Sequence, residues 1–347
     1  MKKTRIRLSL FSLVLALVLF GLTIRLTGRD PLVVYWSILT GSFGSTKSFL
    51  NVLAYMLPLI MTGLGAAVAF QSGVFNIGGE GQVLVGAMAS AAIMIYGKNL
   101  PSWAMYALCP VAGVAAGLIW GVIPAFFKAH WNTNETLFTL MMNYVAIQLT
   151  SYFVAAWENP VGSNTVGVIN QQTRDGWFPA LFGQEYGLNV LLVLLLTVGM
   201  FLYLKYSKQG YEISVVGDSE NTARYAGINV KKVTIRTMAI SGAICGLAGF
   251  IAVAGSSHTI STSTAGGRGF TAIIVAWLAQ FNTFVMILIS FLLVFLQKGA
   301  IQIASRYNLN DYASNIITGI ILFFILGSEF FINYRIILRG GKEGGAK

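Results

Sequence analysis

Charge is what this sequence has least of. Only 10% of its 347 residues are Asp, Glu, Lys or Arg, against roughly 25% in soluble domains. Apolar residues make up 56%, and the mean hydropathy is +0.71. Histidine and cysteine are nearly absent, at two each. Cys109 and Cys245 sit in separate apolar runs without the paired spacing of a metal site or a disulfide framework, and are read as small core residues. His130 and His258 fall in loops. No H-E-x-x-H, no nucleophile elbow and no acid/base pair with a flanking histidine occurs, so no catalytic residue and no metal ligand is assigned. A G-x-x-x-x-G-K-[ST] phosphate loop is missing as well, which excludes ATP binding by that route. The chain is therefore read as a non-enzyme: a transporter, a channel or a membrane-embedded scaffold.

What is present is apolar sequence in runs of the ~20 residues that a bilayer requires. The expectation is an all-α, polytopic integral membrane protein, a single transmembrane domain over residues 1–347 with about ten spans. Basic loops place both termini in the cytoplasm under the positive-inside rule, so the net charge of +11 does not argue for nucleic acid as a partner. Lys2, Lys3, Arg5 and Arg7 precede an apolar run from Leu8 to Leu26 that is long for a signal peptide and has no small-x-small cleavage site after it, so it is read as a retained first span. Residues 27–48, with Pro31 and PLVVYWSIL, are placed outside. Further spans are expected over 49–70, 77–96, 102–126, 134–157, 189–204, 237–254 and 312–331, with two short pieces, 268–281 and 283–297, broken at Asn282. The Pro/Gly/Gln-rich segment 159–188 and the Ser/Thr/Gly run 255–268 are read as outside. Glycine and small-residue spacing in 112–121 and 242–249 points to close helix packing.

Residues 205–236 form the longest charge-rich stretch and read as a cytoplasmic loop. Gly210 and Gly217 bracket a short helical turn over 211–216. Asp218 or Ser219 can N-cap a second helix that stops at Gly227. Ala223 and Ala226, three apart, give that helix a small apolar face suited to docking; an ordinary solvated loop is the plainer reading. Polar residues at membrane depth mark the other sites. Asn76, Glu80 and Gln82 lie in the glycine-rich QSGVFNIGGEGQ, and Asn134, Glu135 and Asn143 open the fifth span. An acid in such a place is a functional candidate. Against that stand two structural readings: Glu80 favouring its own helix dipole, and Asn143 hydrogen-bonding between helices.

Two separated features, FQSGVFNIGGEGQVLVGAMA and VVGDSENTARYAGINVKKV, resemble the permease subunits of bacterial ABC importers. The similarity runs from about residue 49 to 327 and takes in GRGFTAIIVAWLA. The N-I-G-G-E-G-Q form is most like the nucleoside branch that works beside a basic-membrane-protein type lipoprotein, the purine-nucleoside permeases in particular. Trp277, with Ala279 and Gln280 after it, departs from the family's Leu and Gly. The resemblance implies uptake of nucleosides such as guanosine, with ribose- or galactose-type sugars as the alternative substrates. It implies that Gly217, Asp218, Asn221, Ala223, Arg224, Tyr225, Ala226 and Gly227 couple to a cytoplasmic ABC ATPase, which binds the ATP. It also implies a second, related permease, a solute-binding lipoprotein docking over 159–188, and residence in the bacterial cell membrane. Asn76, Glu80, Gln82, Asn134, Glu135 and Asn143 are the pathway candidates. A secondary transporter using Glu80 and Asn282 is the competing reading, but it leaves the long charged loop unexplained.

Overall fold

The computed structural model describes residues 30–306 apart from 98, 182, 183 and 185, together with isolated positions 21, 25, 316, 319, 320, 323 and 327. Among these residues every regular element is a helix; Leu181 and Gln184 form an isolated antiparallel bridge. The helices are α1 Pro31–Phe43, α2 Thr46–Gln71, α3 Gly79–Tyr96, α4 Ser102–Trp131, α5 Glu135–Ala156, α6 Gly187–Tyr206, α7 Lys208–Asp218, α8 Glu220–Tyr225, α9 Val230–Ala252, α10 Arg268–Leu278 and α11 Thr283–Arg306.

Local chemistry sets where many of them start. Pro31 opens α1 and the Asp30 carboxylate accepts from the Leu32 amide at 2.9 Å. Asn134, Ser207, Ser219 and Asn229 each accept a first-turn amide of α5, α7, α8 and α9. Among the described residues, seven helices are long and apolar enough to cross a membrane: α2, α3, α4, α5, α6, α9 with the π turn Val253–Ser257 that extends it, and α11. Apart from the isolated positions, the spans expected over 8–26 and 312–331 lie outside the described residues, as do both termini.

Three expectations are corrected. The piece expected over 268–281 is not a span: α10 has 11 residues, about 16 Å of helix, half of what a bilayer needs. Gln280 and Phe281, at φ 47° and 59°, break off the helical backbone after α10, and Asn282 then caps α11 through the amides of Phe284 and Val285. The break at Asn282 is therefore real, but the second piece is a full helix of 24 residues that runs on to Arg306. Finally, the charged stretch 205–236 is shorter as a connection than expected, because Lys205 and Tyr206 end α6 and residues 230–236 are the first turns of α9.

The chain divides into two compact units, residues 1–49 with 293–347, and residues 50–292. In the first, Val34, Ile38 and Ile303 form an apolar cluster with Phe295 and Leu296, and Arg306 donates to the Ser37 hydroxyl at 2.9 Å. The second holds the candidate site. Within the most apolar stretches of α2, α9 and α3, 89%, 78% and 72% of residues are buried, against 22% in α4, α5 and α6, so the former make the interior and the latter form the periphery.

Close backbone approach holds peripheral α4 against interior α9. α4 meets α9 along Gly113, Gly117 and Gly121 facing Gly242 and Gly246, and a Cβ on Gly246 would run into the Gly113 carbonyl. Between helices in lipid, where burial gives little preference for protein over tails, this close contact is the main attraction. Gly246→Val should therefore cost several kcal/mol through forced separation of α4 and α9. Membrane-inserted protein should fall sharply and the residual protein should melt earlier in detergent; a wild-type melt would show that the seam tolerates a Cβ.

Candidate functional site

Between α2 and α3 the chain leaves helical geometry over residues 72–78, with Gly73 at φ 76°. Irregular backbone buried away from water survives only if protein groups satisfy it, and buried amide side chains do so here. Asn76 accepts from the Gly78 amide at 2.9 Å and donates to the Ser241 hydroxyl of α9 at 2.9 Å and to the side-chain oxygen of Gln82 at 3.2 Å. Asn143 of α5 accepts from the Gly81 amide at 2.8 Å and donates to the Ile77 carbonyl at 2.9 Å. Thr139, one turn earlier, accepts from the Ile77 amide at 3.2 Å. All three amide side chains are buried. The expected interhelical role of Asn143 is thus visible as two bonds to the turn and first residues of α3.

Glu80 joins two segments that stand far apart in sequence. Its two carboxylate oxygens accept from the Gly267 and Gly269 amides, each at 2.8 Å. It sits in the first turn of α3 and also caps α10, so one anion lies where two helices present the positive ends of their dipoles. Gly269 is obligatory: a Cβ there would overlap the Glu80 backbone. Beside it, the Arg268 guanidinium lies 4.9 Å from the Tyr55 ring centroid and donates to the Thr264 carbonyl at 2.8 Å. The Ser/Thr/Gly run and the Gln71–Gln82 turn, separate clusters in the sequence, are one construction in space.

Asn134 and Glu135 stand elsewhere. Asn134 is exposed and caps α5, while Glu135 is buried and pairs with Lys128 of α4 at 3.1 Å. Asn76, Glu80, Gln82 and Asn143 are brought together; Asn134 and Glu135 hold the α4–α5 corner.

The charged connection is built as two short helices of different character. α7 is seated on the body. Ile213 and Val216 are buried, Arg236 of α9 pairs with Glu212 at 3.0 Å, and Gly217 presses on the Gln71 carbonyl, where a Cβ would not fit. Both glycines expected to bracket a turn lie inside α7, which runs longer than 211–216. Ser219 caps α8, and Gly227, at φ 75°, ends it with Ile228 donating to the Ala223 carbonyl at 2.9 Å. The small face is split: Ala223 is 0% exposed and packs inward, whereas Ala226 is exposed. Tyr225, at 94%, is the most exposed large apolar side chain of α7 and α8. Arg224 makes an exposed pair with Glu220 at 3.3 Å, a contact worth only a few tenths of a kcal/mol. Behind α7 lies a cavity of about 510 Å³ reached by Lys205, Asp218, Gln71 and Asn282.

The segment after α5 is tied down. Asn170 donates to the Met94 carbonyl at 2.8 Å, and the Ile169 and Phe178 amides donate to the His258 and Ala254 carbonyls at 2.8 Å. His258, expected to be a bystander in a loop, is stacked on Trp177 with ring centroids 3.7 Å apart. Nothing local in the sequence signals that pairing.

Comparison with known proteins follows this geometry. The chain is 30% identical over 323 residues to the guanosine ABC transporter permease protein NupP of Bacillus subtilis, covering 92% of each chain. It is 29% identical over 347 residues to the glucose ABC transporter permease of Haloferax volcanii, covering 95% of this chain and 89% of that one. With the guanosine permease NupQ of Bacillus subtilis the identity is 29% over 229 residues, 64% of this chain and 71% of that protein. Residues 48–326, which contain the turn, the capped half-helix and the α7–α8 element, match the family described as branched-chain amino acid transport system / permease component. The chain belongs to this family and is a multi-pass membrane permease.

Proposed function

We propose that this chain is the membrane-spanning subunit of an ATP-driven ABC importer for nucleosides, with purine nucleosides such as guanosine as substrates. The observation that carries the reading is the α7–α8 element. A secondary transporter has no need for a seated, doubly capped pair of short helices holding an exposed tyrosine clear of the body, whereas a subunit driven from outside needs a rigid handle. The ATPase that grips it is a separate cytoplasmic chain and binds the ATP. The substrate class rests on the guanosine permeases among the relatives, and the existence of both in one organism supports a pair of related permeases around a shared pathway. A solute-binding lipoprotein docks over residues 159–188. Glu80 acts on the pathway by holding the α3–α10 joint, Asn76, Gln82 and Asn143 by holding the turn beside it, and Asn134 and Glu135 fix the neighbouring corner. A simple sugar is the second reading, favoured by the glucose permease among the relatives.

Uptake of radiolabelled guanosine in cells with and without the gene tests this, with glucose and ribose as competitors and half the cells depleted of ATP while the proton gradient is held. Uptake should need both the gene and ATP. Gene-dependent uptake that survives depletion would overturn the ABC mechanism; competition by sugars alone would keep the mechanism and replace the substrate.

A further inference from the structure

Two cavities adjoin at the ends of α6 and α9 that point away from α7 and α8. α6 runs 20 residues from Gly187 to Tyr206, about 30 Å. Tyr186 stands immediately before it and α7 follows its far end, so these cavities lie a full span from the coupling element. We propose that together they form a bipartite entry subsite for a nucleoside, the first taking the base and the second the ribose. This rests on the nucleoside-importer reading above.

The first cavity, about 370 Å³, is walled by Tyr106, Trp177, Phe178, Tyr186 and His258, with Arg174 at its side. The aromatic wall is fixed before any ligand arrives. Trp177 donates its ring N–H to the Ile169 carbonyl at 2.8 Å and lies parallel to His258, 6° between planes, while the Phe178 amide is bonded to Ala254. Rigid aromatic surface is what binds a nucleobase without sequence of charge or size, because every base has a π face. The Arg174 guanidinium, 5.7 Å from the Trp177 ring, adds a fork of donors that matches the O6 and N7 acceptors of guanine.

The second cavity, about 290 Å³, has another chemistry. Asn51, Ser257, Thr259, Ser263 and Arg268 line it, with Tyr55 beside the arginine. Hydroxyls and an amide both donate and accept, as a neutral ribose with several hydroxyls requires. Tyr186 and Ser256 line both cavities, so a ligand with one flat aromatic half and one polyhydroxylated half can span the shared wall. Each cavity is near the lower end of small-ligand sites, roughly 300–1,000 Å³. A free sugar fits the second alone and leaves the aromatic wall without a role.

The test is photolabelling with 8-azidoguanosine of membranes from cells that carry the whole transporter, followed by mass-spectrometric mapping. Label should fall on the peptides bearing Tyr106, residues 174–186 and residues 255–258, with excess guanosine protecting them and free ribose failing to do so. Trp177→Ala should lower guanosine-protected labelling about tenfold and Trp177→Phe by much less, since a ring remains for stacking. Protected label on other segments, or no protected label while guanosine uptake is intact, overturns the proposal, and so does undiminished labelling of Trp177→Ala. The wild-type map stands even if Trp177→Ala is lost from the membrane. Absence of gene-dependent guanosine uptake in the same cells is a different failure, that of the nucleoside reading itself.

Discussion

Glu80→Gln should lower uptake at least about tenfold and bring an earlier melt in detergent. The carboxylate gives one oxygen to the Gly267 amide and the other to the Gly269 amide. Glutamine keeps the shape but has one acceptor oxygen, and its NH₂ then faces a backbone N–H, donor against donor. One charge-assisted bond is lost, worth about 1.5–3 kcal/mol. The anion between two helix N-termini goes with it, at about 0.3–1 kcal/mol for each end. The sum is on the order of 3 kcal/mol, which loosens the hold of α3 on α10. α10 is only 11 residues long, and besides these two bonds it is placed by burial of Ala272, Val275 and Ala276 and by the contact of the Trp277 and Phe70 rings. Glu80→Asp keeps the charge but shortens the reach by a methylene, so it should fall between wild type and Glu80→Gln. Uptake and a melt at wild-type values in Glu80→Gln would mean that α10 is placed by packing of Ala272, Val275 and Ala276 alone.

What could be read from the sequence was local, and what could not was pairing across distance. Ser219 and Gly227 announce a helix start and stop because a cap acts within four residues. The glycine rows of α4 and α9 were legible because helical spacing puts them on one face. Glu80 stood out as an acid at membrane depth, yet its partners are 187 and 189 positions away, and one sequence carries no trace of that contact. The same holds for Asn143 and Gly81. α10 was apolar enough to pass for a span; its length is decided by a turn in which Gln and Phe, not Gly, take positive φ. Ala223 was singled out for the right property, small size, but smallness serves an inward contact as well as an outward one. Only the packed chain shows which way the face points. Trp177 and His258 went unpaired because each is unremarkable in its own loop.

The proposed coupling role of α8 predicts that Tyr225→Ala abolishes most ATP-driven uptake, by more than about tenfold, while leaving the protein in the membrane with an unchanged melt. At 94% exposure its ring meets almost nothing of its own chain, so removing it has no folding cost to confuse the result. An exposed tyrosine at the tip of a rigid mount is the kind of anchor that carries about 2 kcal/mol or more of an interface when a partner buries it. α7 makes the mount stiff through Ile213, Val216 and the Arg236–Glu212 pair, so force applied at Tyr225 reaches α9 and the turn at Gln71 rather than bending a loop. Tyr225→Phe retains the ring and should transport at a substantial fraction of the wild-type rate. Ala223→Leu is the contrasting variant: its side chain enters the body of the protein, and its effect should appear as lost stability before lost coupling. Should Tyr225→Ala transport at the wild-type rate, α8 is not where the ATPase grips, and the cavity behind α7 at Lys205 and Asp218 becomes the surface to mutate next.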